Sequence, residues 1–213
     1  MKTQKFLYLS LIFLCFSCKS QTKKINGLSF VAAKDKIDAT HTTPVIKAQS
    51  NYVALMPFGF IKELSSPKII HNTNRQWFGE TKNGLLQYAK EFQKHSIKIM
   101  VKPHIWVWNG EYTGLIAMDS EEKWRTLEKS YAAFILTYAK AAQELNADIL
   151  CIGTELEKFV VKRPVYWQKL IKQIRKVYTG KLTYAANWDE FKRVSFWCNT
   201  FDSHFFWNIF SFR

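Results

Sequence analysis

Five short apolar runs set the fold of this chain: Ile25 to Val31, Tyr52 to Pro57, Ile97 to Lys102, Ile149 to Gly153 and Leu182 to Ala186. Each closes on, or is followed at once by, a polar, aromatic or small residue, and longer amphipathic stretches separate them. Runs of this length bounded by turn residues read as strands, and strands alternating with helical stripes give a parallel α/β sheet or barrel. The clearest stripe is Trp124, Leu127, Tyr131, Phe134, Tyr138, Ala142 and Leu145, which recur at three- and four-residue steps and form one apolar face. A second helix opens at Pro164 and runs through Trp167, Leu170, Ile171, Ile174 and Val177 toward Gly180. Proline at the entry and glycine beyond the end are where each is favoured.

The chain has 213 residues, enough for one sizeable core, and 47% of them are hydrophobic. That balance excludes a disordered chain and a disulfide mini-protein. No repeat, low-complexity segment or linker divides the body, so one domain is expected over residues 25–193.

The first residues read as an address. Lys2 and Lys5 precede the apolar run Phe6 to Leu14, which is too short to span a bilayer and fits a secretory signal. The run ends at Cys15-Phe16-Ser17-Cys18-Lys19-Ser20. This resembles a bacterial lipoprotein signal, which implies a signal peptide over 1–17, lipidation at Cys18, a linker over 18–24 and attachment to a membrane by the lipid, with plain secretion and an uncleaved anchor as the alternatives. With Cys18 modified, Cys151 and Cys198 remain and offer no disulfide framework. The formal net charge of +14 is spread along the chain, as at Lys169, Lys172 and Lys176. A solvated basic surface is expected, with no nucleic acid partner.

In a parallel barrel the C-terminal ends of the strands carry function. The third strand ends in Lys102-Pro103-His104-Ile105-Trp106-Val107-Trp108, the fourth in Gly153-Thr154-Glu155-Leu156-Glu157, and the fifth in Ala185-Ala186-Asn187-Trp188-Asp189. Polar and aromatic residues of this kind suit a sugar ring. Glu155 follows an apolar strand, where desolvation favours the protonated carboxyl that a general acid requires. A helix-capping carboxylate is the competing reading of Glu155, and packing in the core competes for Trp106, Trp108 and Trp188. His104 has no second histidine at ligand spacing, so no metal is expected.

Gly153-Thr154-Glu155-Leu156, Lys102-Pro103-His104-Ile105-Trp106 and Tyr184-Ala185-Ala186-Asn187-Trp188 together resemble glycoside hydrolase family 113. Asn26 to Phe30 and Asn51 to Pro57 fit the same pattern, and the similarity covers about Ile25 to Arg193. The resemblance implies a (β/α)8 TIM-barrel fold, incomplete here at about the first five βα units, and a retaining β-mannanase-type hydrolase acting on β-linked polysaccharide without a cofactor. It makes Glu155 the acid/base, and His104, Trp106, Asn187 and Trp188 lining residues of the sugar cleft.

Retaining hydrolysis uses two carboxyls about 5–5.5 Å apart. In the family resembled, the second stands at the end of the seventh strand. Counted from Ile25, this chain reaches its fifth strand near Ala186 and ends at Arg213, so the nucleophile is expected to be missing. Asp189 and Glu190 are the acids near the last strand end, and the fifth strand offers the wrong geometry for the attack. Residues 194–213 change character: Ser195 to Arg213 shows no strand alternation and no clean helical stripe, and reads as an atypical aromatic tail translated out of frame after a break near Trp197, with a genuine aromatic tail docked over an open barrel edge as the alternative. Two alternatives follow, a non-catalytic glycan-binding surface lipoprotein and an inert fragment.

Overall fold

The computed structural model describes residues 24–194. The signal segment with Cys18 and the aromatic tail lie outside the described residues. In chain order the elements are β1 (Gly27–Phe30), α1 (Ala39–Lys47), β2 (Tyr52–Leu55), β3 (Phe58–Ile61), α2 (Lys82–Gln93), β4 (Lys98–Val101), β5 (His104–Val107), α3 (Glu121–Glu144), β6 (Ile149–Thr154), α4 (Glu157–Lys162), α5 (Pro164–Arg175) and β7 (Lys181–Ala185). Strands β1, β2, β4, β6 and β7 lie side by side in that order, every neighbouring pair parallel. These are the five apolar runs of the sequence, and they form five strands of a (β/α)8 barrel.

The other two strands are not separate layers. β3 pairs with β5 in the same register that β2 holds with β4, for Leu55 faces Val101 and Phe58 faces His104. Pro57 and Pro103 therefore stand opposite each other at the break. Neither has an N–H to give to a ladder. Bonds from Lys102 N–H to the Leu55 carbonyl (2.8 Å) and from His104 N–H to the Pro57 carbonyl (2.9 Å) carry the pairing across. The result is a two-stranded lip that takes His104 and Trp106 beyond the rim of the main sheet.

Alternation along the strands divides the sheet into two faces. Val53, Leu55, Ile99, Val101, Leu150, Ile152, Leu182 and Tyr184 pack on the helices in the large core, while Ala54, Met100, Ile149, Cys151 and Ala185 cluster on the inner face. Helix α3 buries its expected stripe, from Trp124 to Ala142. Its start is fixed by Ser120, whose Oγ accepts the Lys123 N–H at 3.3 Å. Helix α5 begins at Pro164 as expected and buries Trp167, Leu170, Ile171 and Ile174. Burying side chains of this size stabilises by about 1.5–3 kcal/mol each, which is why the helices close over one face. Arg163 ties α5 to α3 through Glu128 (2.6 Å) and Glu121 (2.9 Å).

Outside the candidate site, one histidine lies in a helix and another in a loop. His41 lies in the first turn of α1 and completes a capping box with Asp38. His71 stays in a loop, its ring edge-on to Phe134 at 5.3 Å.

Candidate active site

The end of β6 departs from regular strand geometry. Leu150 and Cys151 pair with Leu182 and Thr183, but Thr154 pairs with Ala185, so β6 carries one extra residue between Cys151 and Thr154. Such a bulge re-aims the residues that follow it. Gly153 sits inside the bulge because Tyr184 occupies the space: a Cβ there would stand 2.8 Å from Tyr184 Cε2 and 3.0 Å from the Trp167 ring.

Glu155 comes next, in a left-handed backbone conformation with φ of 49°. For a residue with a Cβ this costs about 1–3 kcal/mol, and such strain collects at functional sites. Three bonds hold it. Its N–H donates to the Ala185 carbonyl at 2.9 Å. Its carbonyl accepts from Thr113 Oγ1, in the loop after β5, at 3.0 Å. The following N–H, of Leu156, donates to the Tyr184 hydroxyl at 2.7 Å. Helix α4 is capped at Leu156 with no side-chain bond, so Glu155 does not cap it.

Behind that turn lies a buried carboxyl. Glu190 is 0% exposed, accepts the Tyr184 hydroxyl proton on Oε1, and accepts the Asn187 N–H on Oε2 at 2.9 Å. Burial pushes its pKa up, with Glu155 and Glu157 adding to the rise and the bonds from Tyr184 and Asn187 opposing it. Asn187 also stands beside the Tyr112 hydroxyl, whose pKa is raised by burial and by the charges of Glu155, Glu190 and Glu157. Glu155, Glu157, Asn187, Glu190 and Tyr112 therefore converge on one end of the sheet.

Lys102 enters the same region from β4. It lies two residues beyond Met100, on the inner face, and is only 4% exposed. Burial lowers its pKa, against the raising effect of Cys151 and Glu155. Among the described residues no hydrogen bond or ion pair reaches its ammonium. His104, two residues further on, stacks obliquely on Phe58 at 5.5 Å, and its Nε2 is buried with no partner. Burial first and the Lys102 charge second bring its pKa down to about 3, so the ring is neutral at pH 7. Sequence reasoning named His104 but passed over Lys102 as a site residue, although both face inward by simple alternation. It also missed Tyr112, Thr113 and Tyr184.

The expected sugar platforms are open to solvent. Trp106 is 49% exposed, Trp108 66% and Trp188 79%, which sets aside core packing for all three. Trp188 follows Asn187, whose Oδ1 accepts the Trp188 N–H at 2.7 Å. No group of three or more His, Cys, Asp or Glu side chains suited to a metal ion occurs among the described residues.

The sequence profile of Glycoside Hydrolase Family 113 matches residues 31–203, most of the chain. The chain belongs to that family. Its fold is similar to the family 113 β-mannanase of Alicyclobacillus acidocaldarius solved in complex with ManMIm, with 22% identity and a TM-score of 0.73 over 81% of this chain. Two further structures of a family 113 β-1,4-mannanase, one of them a complex, match at 20% and 21% identity with TM-scores of 0.70 and 0.67. The chain spans 57–59% of the length of these three relatives. No curated protein sequence matches it. Among the described residues no helix is long and apolar enough to cross a membrane.

Proposed function

We propose that this family 113 chain carries the acid/base side of a retaining β-mannanase-type centre acting on β-linked polysaccharide, with Glu155 as general acid and base. The observation that carries the reading is the placement of Glu155: a half-buried carboxyl at the end of a barrel strand, re-aimed by a bulge and fixed in a left-handed turn within electrostatic reach of Lys102 and Tyr112. In its acid role Glu155 gives its proton to the glycosidic oxygen, and in its base role it takes one from the water that resolves the intermediate. His104 and Asn187 offer polar contacts to a pyranose, and Trp106 and Trp188 offer flat faces for it to stack on.

The carboxyls grouped with Glu155 among the described residues are Glu157 and Glu190. Glu190 is buried and held by Tyr184 and Asn187, and Glu157 is paired with Arg193 at 2.5 Å. Both are engaged by other protein groups. This favours a second reading, a glycan-binding protein that keeps the cleft without turnover.

Incubation of the purified chain with β-mannan tests the first reading. Release of reducing ends that falls at least about 10²-fold in Glu155→Gln supports it and overturns the expectation of a missing nucleophile, and release unaffected by that change overturns the acid/base reading. Saturable binding of manno-oligosaccharides without release supports the second reading, and loss of both properties leaves an inert fragment. Export with a lipid on Cys18 belongs to the same proposal and rests on the sequence of the leader. The intact mass of the membrane-associated protein, with and without Cys18→Ser, decides it.

A further inference from the structure

We propose that Tyr184 and Glu190 are positioning residues for Glu155, holding the peptide after it so that the left-handed turn bearing its carboxyl is kept. The proposal rests on the reading of Glu155 as the acid/base, and it gives the buried acid of the last strand end a role other than attack.

A left-handed glutamate is strained, and the bonds around it decide whether it stays. The Leu156 N–H lies at the cap of α4, where no intrahelical carbonyl is available to it. The Tyr184 hydroxyl meets it at 2.7 Å. A phenol has one proton and can turn it toward any acceptor. Glu190 removes that freedom: its Oε1 takes the Tyr184 proton, which leaves the oxygen lone pairs facing Leu156. Glu190 is fixed in turn by the Asn187 N–H. The run Leu156, Tyr184, Glu190, Asn187 thus links the turn that bears Glu155 to the loop that bears Asn187 and Trp188.

Packing alone does not account for Glu190. The Tyr184 ring already fits between Gly153 and Trp167, with its centroid 5.9 Å from the Trp167 ring. A fully buried carboxyl beside two other glutamates is costly, and an apolar side chain would fill the same volume without that cost. Its distinct contribution is the orientation of the Tyr184 hydroxyl.

The test uses amide spectra and hydrogen exchange on the full chain. Tyr184→Phe keeps the ring and removes only the oxygen, so a role limited to packing leaves the spectrum unmoved. We expect the Leu156 amide resonance to shift upfield and its exchange to accelerate roughly tenfold, with Leu150 and Leu182 unchanged. Glu190→Leu should move the Leu156 amide in the same direction although the Tyr184 hydroxyl is still present. The double variant should add nothing to Tyr184→Phe alone, as expected for two residues acting in series. An unmoved Leu156 amide in Tyr184→Phe overturns the proposal, as does acceleration spread evenly over Leu150 and Leu182, or additive single effects. β-Mannan hydrolysis by the same samples separates the two ideas. Turnover that depends on Glu155 with an unmoved Leu156 amide rejects the clamp alone. A moved amide without Glu155-dependent turnover supports the clamp and rejects the acid/base reading.

Discussion

The two faces of the sheet treat polar groups in opposite ways. Toward the helices, buried tyrosines each find an acceptor: Tyr131 gives its proton to the Ile152 carbonyl at 2.8 Å, Tyr178 to Ala147 at 2.8 Å, and Tyr88 to Asp35 at 2.6 Å. On the inner face and lip, the Lys102 ammonium has no bonding partner among the described residues and His104 Nε2 has none. Leaving a buried polar group such as His104 Nε2 unmet costs about 1–3 kcal/mol. One face therefore supplies stability, and the other gives some of it up, as the proposed sugar site would require.

Substitution of Trp167 probes the stabilising face most strongly. Trp167 is fully buried and packs against Tyr131 and Phe159, each with ring centroids 5.3 Å away, and against Tyr184. Trp167→Ala leaves a large cavity and is expected to cost about 3–5 kcal/mol in urea unfolding. A loss under about 1 kcal/mol would break the contrast between the faces, since the aromatic cluster would then not be where stability resides.

How far this contrast was legible in the sequence depends on the kind of signal. The five main strands were readable because each apolar run is continuous, and α3 and α5 because their stripes repeat for several turns. The lip formed by β3 and β5 was not, since each strand has four residues and a proline interrupts the run before it. The bulge in β6 is a property of pairing with β7, and Gly153 was its one local mark. Glu155 was found because it follows an apolar strand and matches a family motif. Tyr184 and Glu190 were readable as residues of the fifth strand and its end, but the bond joining them to Leu156 spans 28 positions, a contact that periodicity cannot show.

Lys102 is the direct probe of the other face, with a smaller expected effect. Its pKa is lowered by burial, so at neutral pH the folded state holds a charge it would lose more easily than the unfolded chain does. Lys102→Met keeps the length of the stem and removes that charge. The variant is expected to gain about 1 kcal/mol and to raise the melting temperature by about 2–4 °C, while weakening manno-oligosaccharide binding. Lower stability in this variant would show that Lys102 belongs with the supporting residues. Higher stability with unchanged binding would remove it from the sugar cleft.

Glu190 gives the smallest effect and the finest test, because it lies between the two faces. Its folded pKa is raised, chiefly by burial and then by Glu155 and Glu157. The stability tied to its proton is therefore fully present below the unfolded value of about 4.3 and is lost as pH rises through the folded value. Asp38 acts with the opposite sign: bonds from Thr40 and His41 lower its pKa, so its contribution is lost as pH falls. The difference between wild type and Glu190→Leu cancels Asp38 and isolates Glu190. Urea unfolding at pH 4.5 and pH 7 should show wild type losing stability relative to Glu190→Leu as pH rises. Curves that stay parallel would mean that Glu190 binds its proton equally in both states, and its burial would then not be what sets it apart from the carboxylates on the surface.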